Sequence, residues 1–123
     1  MHVKIDQEIL ENYFYFGLLF FSLIFVENLD KKLVKFAKNC DLIIHDAQYS
    51  TEDYLSIYVP KQGFGHSTFE MALDSKQQIG AKKMVFFHYD HGYNDEKLNS
   101  LAEEYASEDA IFAYEGLEMD LFE

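Results

Sequence analysis

Short, wholly apolar runs alternate with amphipathic helical patterns along this chain, and that alternation constrains its fold most strongly. Residues 42–44 (Leu-Ile-Ile) and residues 84–87 (Met-Val-Phe-Phe) contain no polar side chain. Such runs are typical of strands that are covered on both faces of a sheet. The sequence therefore predicts an α/β fold in which helices flank a sheet that contains these two strands.

Apolar residues at helical spacing predict three helices around these strands. The second predicted helix begins with a capping box formed by Ser67 and Glu70, and it ends before Gly80. The first helix can be capped by Asn28 or Asp30. The apolar positions of the three helices, in chain order, are Leu29, Leu33, Phe36, Ala37 and Cys40; Phe69, Ala72, Leu73 and Ile79; and Leu98, Leu101, Ala102 and Tyr105.

Both ends of the chain carry strand patterns. Residues 111–114 and the alternating segment 117–121 flank a turn at Glu115 and Gly116, which predicts a C-terminal hairpin. The aromatic-rich stretch 13–26 predicts buried strand, either one strand or two separated near Gly17. This stretch is shorter than the roughly 20 residues of a membrane span. Acidic residues also precede it where a signal peptide carries positive charge, so neither kind of segment is expected.

The charge of the chain limits the partners that it can bind. The 123 residues correspond to one ordinary domain, and 10 basic residues against 22 acidic ones give a formal net charge of −12. A chain with this negative charge binds phosphate backbones and anionic membranes poorly. We therefore expect neither nucleic acid nor a membrane as a partner of this chain alone. The single cysteine, Cys40, excludes an intrachain disulfide and fits a reducing, cytoplasmic compartment.

Titratable residues follow both of the apolar runs. His45 and Asp46 come directly after the first run, and His88 comes directly after the second. Ligands of open α/β sheets bind beyond the carboxyl ends of the strands. His66 precedes a predicted helix, whose positive dipole end favours a neutral imidazole. We expect these four side chains to converge at one edge of the sheet, where imidazole and carboxylate can bind zinc, manganese or iron.

Each of these residues also has an ordinary structural interpretation. A histidine at a strand end often caps a loop through hydrogen bonds, and that alternative stays open. His2 and His91 are expected to be solvated, and Cys40 is expected to pack as a small apolar residue. A phosphoacceptor receiver domain is a further alternative with Asp46 as the acceptor. That alternative lacks both the acidic pair before Asp46 and a lysine after a later strand.

Three motifs resemble the C-terminal half of metallo-β-lactamase-fold hydrolases. They are residues 41–49 (Asp-Leu-Ile-Ile-His-Asp-Ala-Gln-Tyr), 65–68 (Gly-His-Ser-Thr) and 85–90 (Val-Phe-Phe-His-Tyr-Asp). The chain resembles most the ribonuclease Z and cyclic-nucleotide phosphodiesterase branch, from residue 28 to its end. The resemblance implies half of an αββα sandwich, with one sheet, flanking helices and the C-terminal hairpin. Residues 1–123 would then be a single partial domain in which 1–27 are a diverged apolar strand region.

The resemblance also implies a role for each of the four candidate residues. His88 matches the last metal-binding histidine of the fold. His66 matches a histidine that contacts the scissile phosphate and protonates the leaving oxygen. His45 and Asp46 match a His-Glu motif, with Asp46 in place of the glutamate, and the Asp46 carboxylate would orient His66. In the complete family, a hydroxide that bridges two divalent metals attacks the ester.

The chain departs from the family in its other metal-binding residues. The main motif, His-x-His-x-Asp-His, is absent from the sequence. No aspartate between Asp6 and Asp30 matches the bridging aspartate of the family, although Glu27 is a carboxylate in that region. His88 alone cannot hold a dinuclear centre, since a catalytic zinc normally has three protein ligands.

These departures indicate a truncated hydrolase that is inactive alone. The complete enzyme would be a metal-dependent phosphodiesterase that acts on a small phosphoester. The alternative is a non-catalytic remnant or interaction module of the same fold. Because the second sheet of the sandwich is missing, we expect an exposed apolar sheet face that binds the missing N-terminal half or a second copy of the chain.

Overall fold

The computed structural model describes residues 2–4, 21–23 and 31–121. Four strands form a parallel sheet in the order β2-β3-β4-β5, and two further strands, β1 and β6, pair antiparallel in a second sheet. The predicted α/β fold is confirmed. The strands are β1 His2–Lys4, β2 Phe21–Leu23, β3 Leu42–Asp46, β4 Lys83–Phe87, β5 Ala110–Phe112 and β6 Glu118–Asp120; the helices are α1 Lys31–Ala37, α2 Thr51–Tyr54, α3 Phe69–Ile79 and α4 Asp95–Tyr105.

Residues 42–44 of β3 and 84–87 of β4 are apolar because both faces of these middle strands are largely buried. Side chains alternate between the faces of a sheet, so neighbouring residues of one strand contact different layers. On one face, Ile43 and Phe86 belong to a core that also contains Ala37, Phe69 and Leu101 from the helices. Because β3 and β4 pair in parallel, their carboxyl ends lie together at one edge of the sheet.

The helix α3 begins one residue later than the sequence predicts. Thr68 is its N-cap, with an extended backbone and a side-chain oxygen that accepts a backbone N–H. Ser67 lies before the helix, and its N–H donates to the Asp46 carboxylate over 2.6 Å. The predicted capping box of Ser67 and Glu70 is therefore wrong. The predicted end is confirmed, since Gly80 has a left-handed backbone with φ 75°.

The two C-terminal strands lie at the predicted residues, but they do not pair with each other. β5 pairs in parallel with β4, while β6 pairs antiparallel with β1. The turn itself is present, because the Leu117 N–H donates to the Tyr114 carbonyl over 3.1 Å. The predicted hairpin is wrong because the apolar side of β6, which includes Met119, packs onto a face of the parallel sheet.

The same packing covers the sheet face that we expected to be exposed. Ile44 and Val85 point toward β6 and have no solvent exposure, and Leu42 is 2% exposed. Leu117 and Met119 lie against them. The expectation of an exposed apolar face is therefore wrong for β3 and β4. Binding of the N-terminal half or a second copy stays a prediction, without support from this face.

Only part of the N-terminal strand region is described. Residues Phe21–Leu23 form β2, which pairs in parallel with β3. The rest of 13–26, the break near Gly17, Glu27 and the caps Asn28 and Asp30 lie outside the described residues. Within the described part, no helix is both long and apolar enough to cross a membrane.

Candidate functional site

Strand β3 ends in a buried carboxylate that two histidines share. The Oδ1 atom of Asp46 lies 3.1 Å from Nδ1 of His66 and 2.9 Å from Nδ1 of His88. Its Oδ2 atom accepts the Ser67 backbone N–H over 2.6 Å. The side chain of Asp46 has no solvent exposure. Because the carboxylate holds both rings by Nδ1, each imidazole turns its Nε2 atom away from Asp46.

Three segments of the chain meet at this carboxylate. Asp46 is the last residue of β3, and His88 directly follows β4, the neighbouring strand. The strand ends are joined by the Ala47 N–H, which donates to the Phe87 carbonyl over 2.9 Å. His66 lies two residues before the N-cap of α3. The structure thus brings Asp46, His66 and His88 together at the carboxyl edge of the sheet.

His88 reaches Asp46 through an unusual backbone conformation. Its φ is 64°, in the left-handed region, where the backbone of a residue other than glycine is less favourable by about 1–2 kcal/mol. The rings of His66 and His88 stack with 5.1 Å between their centroids. The side chain of His66 is 17% exposed and that of His88 is 46% exposed. The cluster is therefore open to solvent on the side of His88.

His45 does not join this cluster. It is 1% exposed, its Nδ1 donates to the Asp46 carbonyl over 2.6 Å, and its Nε2 lies 3.1 Å from Oγ of Ser75 on α3. Burial lowers the pKa of His45 and so favours the neutral ring. The Ser75 hydroxyl itself donates to the Met71 carbonyl over 2.9 Å. The predicted convergence of four side chains is wrong for His45. Adjacent residues of a strand point to opposite faces, so His45 packs against α3 while Asp46 faces the site.

A cavity of about 320 Å³ opens beside the cluster, and the sequence analysis missed it. Tyr49 separates the two, because its ring meets the ring of His66 edge to face with 6.2 Å between centroids. The residues of the cavity come from three separate loops, and no motif joins them. The sequence signal was a polar, tyrosine-rich loop after β3. The lining includes Tyr49, Asp53, Lys61, Asp90 and Tyr93.

Charged and phenolic groups line this cavity. The Tyr93 hydroxyl donates to the Asp53 carboxylate, and it accepts the Ser50 backbone N–H over 3.0 Å. The hydrogen bond from Tyr93 is the main cause that lowers the pKa of Asp53. Burial, followed by the hydrogen bond to Asp53, raises the pKa of Tyr93 to about 12. Lys61 Nζ lies 5.6 Å above the Tyr49 ring. At neutral pH Asp53 is therefore a charged carboxylate and Tyr93 a neutral phenol.

The strand order and the edge cluster define the class of fold, and solved structures agree. The chain is similar to the metallo-β-lactamase-fold protein YhfI from Bacillus subtilis, with a TM-score of 0.54 and 19% identity over 73% of this chain and 35% of that one. A diphosphatase of the PhnP family gives 0.56 and 18%, covering 80% and 33%. The short form of human tRNase Z gives 0.53 and 18%, covering 79% and 31%. The chain therefore has part of the metallo-β-lactamase fold.

Two relatives in sequence show which proteins of this fold the chain is similar to. Over 91 residues the chain is 38% identical to ribonuclease Z of Picrophilus torridus, which covers 72% of this chain and 28% of that protein. It is 27% identical over 92 residues to ribonuclease Z of Bacillus subtilis strain 168, covering 73% and 29%. No family model matches. The chain spans less than a third of these relatives, and it is a partial metallo-β-lactamase-fold protein similar to ribonuclease Z. The resemblance drawn from the three motifs is confirmed.

Proposed function

We propose that this chain is the C-terminal part of a metal-dependent hydrolase that cleaves a small phosphodiester. The observation that carries the proposal is the buried Asp46 carboxylate, which holds Nδ1 of both His66 and His88. In this proposal His66 contacts the substrate phosphate and His88 binds a metal. The similarity to proteins named ribonuclease Z and to a diphosphatase supports hydrolysis as the reaction class.

The chemistry of the cluster fits a divalent metal such as zinc, manganese or iron. Asp46, His66 and His88 each offer a ligand atom, and these atoms lie within 4.8 Å of one another. His88 would hold the metal through Nε2, while Asp46 on Nδ1 fixes its tautomer, as carboxylates often do for metal-binding histidines. The metal would polarise the phosphate and activate a water molecule. A catalytic zinc needs about three protein ligands, so we propose that the others come from an N-terminal half with the His-x-His-x-Asp-His motif.

His66 has the geometry of a proton donor in this proposal. Asp46 accepts from its Nδ1–H, which fixes the orientation of the ring. The Ser67 N–H holds the carboxylate in place. Protonated His66 would donate from Nε2 to the leaving oxygen of the ester. Asp46 is then a positioning residue, and His45 has no part in the reaction.

The experiment mixes this chain with an N-terminal half that contains the motif. We expect hydrolysis of bis(p-nitrophenyl) phosphate in zinc or manganese by the mixture and by neither half alone. His66→Gln should lower the rate of the mixture by about 10²–10⁴-fold, the usual contribution of a general acid. His91→Gln, which changes an exposed histidine, is the matched control. A folded mixture without activity would contradict the proposal.

A non-catalytic interaction module is the second candidate, because the sequence lacks the main metal motif. In that case the chain would bind its N-terminal half or a second copy without any hydrolysis. Hydrolysis by this chain alone that disappears in His88→Gln would exclude this candidate. Either function suits the cytoplasm, where a buried free thiol such as Cys40 stays reduced.

A further inference from the structure

We propose that Tyr93 is a positioning residue for His88, and that it acts by holding the loop between β4 and α4, which carries both residues. The inference rests on the proposed function, in which His88 holds the metal, and it adds a residue that prepares this ligand. Tyr93 would act on His88 through the loop and would not contact the metal itself.

The loop has to be held because its first residue, His88, has an unfavourable backbone. The left-handed φ of 64° persists at a residue other than glycine only where the surrounding contacts fix it. Residues 88–94 belong to no helix or strand, so they have no regular ladder of hydrogen bonds that could do so. The contacts that the loop makes with other segments therefore decide where the His88 ring lies.

The backbone of the loop continues the pairing of β3 and β4 beyond the ends of the strands. The Ala47 N–H donates to the Phe87 carbonyl over 2.9 Å. The Asp90 N–H donates to the Gln48 carbonyl over 3.0 Å. His88 lies between these two bonds, so the segment that follows β3 frames it on both sides along the chain.

Tyr93 adds the next contact along the same two segments. Its hydroxyl donates to the Asp53 carboxylate and accepts the Ser50 backbone N–H over 3.0 Å. Ser50 is the N-cap of α2, and in an ordinary capping box the side chain three residues later accepts that N–H itself. Here the Tyr93 hydroxyl lies between the two groups, and burial raises its pKa to about 12, so it keeps the proton that it donates. Tyr93 thus ties the end of the loop to the start of α2.

A second tyrosine holds the loop from its other side. The Tyr89 hydroxyl lies 2.9 Å from the Phe86 carbonyl and 3.0 Å from the Ala113 carbonyl, so it anchors the loop to the strands β4 and β5. This anchor does not involve the segment after β3. Loss of the Tyr93 hydroxyl should therefore leave the loop attached to the sheet and loosen it on the side that faces Asp46.

The His88 ring itself reports the effect, because ring-nitrogen NMR shifts distinguish a proton on Nδ1 from one on Nε2. The whole chain is measured without metal at about pH 8, above the ordinary histidine pKa of about 6.5. In the wild type we expect the proton on Nδ1, the atom that lies 2.9 Å from Asp46. Tyr93→Phe should lower the ratio of the Nδ1 form to the Nε2 form several-fold, because a looser ring exchanges Asp46 for water.

Tyr105→Phe is the matched control, since the Tyr105 hydroxyl also donates to a carboxylate, that of Glu70, but outside these two segments. It should leave the ratio for His88 unchanged. Asp53→Ala removes the contact from the opposite segment and should lower the ratio as Tyr93→Phe does. Asp53→Asn keeps an acceptor for the Tyr93 hydroxyl and should retain most of the wild-type ratio.

The metal response is the second measurement. In the mixture with the N-terminal half, Tyr93→Phe should raise the zinc concentration for half-maximal hydrolysis by about tenfold, the low end for residues that orient a metal ligand. The rate at saturating zinc should stay near that of the wild type. An unchanged zinc response in an active mixture would contradict the positioning role.

Three results of the ring measurement would overturn the inference: a wild-type ratio in folded Tyr93→Phe, an equal decrease in Tyr105→Phe, or a wild-type His88 with its proton on Nε2. If Tyr93→Phe does not fold, the comparison of Asp53→Ala with Asp53→Asn decides in the same way. Failure of the proposed function is distinguishable, because it would abolish hydrolysis by the mixture and leave the ring measurement on the metal-free chain unaffected.

Discussion

The stability of this chain is expected to decrease as the pH falls below about 6.5, because His45 stays neutral in the folded state. Its ring is buried between β3 and α3, and burial lowers its pKa. The neutral ring donates from Nδ1 to the Asp46 carbonyl, and its Nε2 lies 3.1 Å from Oγ of Ser75. In the unfolded chain the same residue has an ordinary pKa of about 6.5. The unfolded state therefore binds a proton that the folded state does not.

Proton linkage gives the sign and the size of the effect. Between the unfolded pKa and the lower folded pKa, the free energy of unfolding falls by up to about 1.4 kcal/mol per pH unit for one proton. Above the unfolded pKa, the contribution of His45 is fully present and independent of pH. Urea unfolding followed by far-UV circular dichroism, from about pH 7.5 to about pH 5.5, measures this slope.

The matched variants are His45→Gln, which cannot be protonated, and His91→Gln, which alters an exposed histidine. All other histidines are common to the wild type and His45→Gln, so the difference between their slopes isolates His45. The free energy of unfolding of His45→Gln should depend less on pH than that of the wild type, by a slope that corresponds to up to one proton. The slope of His91→Gln should match that of the wild type. Equal slopes for the wild type and His45→Gln would refute the assignment of a neutral buried ring.

Three further pairs of substitutions test other features of the fold by urea unfolding. His88→Asn should keep nearly the wild-type stability because asparagine tolerates the left-handed backbone, whereas His88→Val should lose about 1–2 kcal/mol more. Met119→Ala should cost about 2–5 kcal/mol if β6 covers the sheet, while Tyr114→Ala, at an exposed position, should cost under about 0.5 kcal/mol. Gly80→Ala should lower the free energy of unfolding more than Gly63→Ala, although both glycines have positive φ. A Cβ at Gly80 would lie 2.7 Å from Asn39 Oδ1, whereas a Cβ at Gly63 would meet nothing within 4 Å.

The middle of the sheet was predictable from sequence because its signal is local. Five residues of β3 and five of β4 are buried or half-buried without interruption, and the apolar runs at 42–44 and 84–87 mark them. The end of α3 was equally local, since Gly80 supplies the left-handed residue that ends a helix. Where one segment decides its own structure, composition and spacing are sufficient.

The hairpin and the cavity could not be predicted because both depend on contacts between segments that are distant in sequence. A turn at Glu115 and Gly116 is a local signal, but the pairing of β6 with β1 depends on a segment more than a hundred residues earlier in the chain. The cavity depends on three loops that only the fold brings together. The error at His45 is of another kind. The period of two in a strand already separates His45 from Asp46, so only one of the two adjacent residues can face the site.

The described cluster is built without any residue from an N-terminal half. Asp46, His66 and His88 are held by backbone and side-chain contacts within residues 46–88, and Asp46 is buried among them. The proposed acid–base group and the proposed metal ligand thus have defined positions within these residues alone. Since β6 and its neighbours already cover one face of the parallel sheet, assembly would leave that core in place. The second half would need only to present its own ligands to the exposed Nε2 side of His88, which is why complementation in trans is the decisive experiment for this chain.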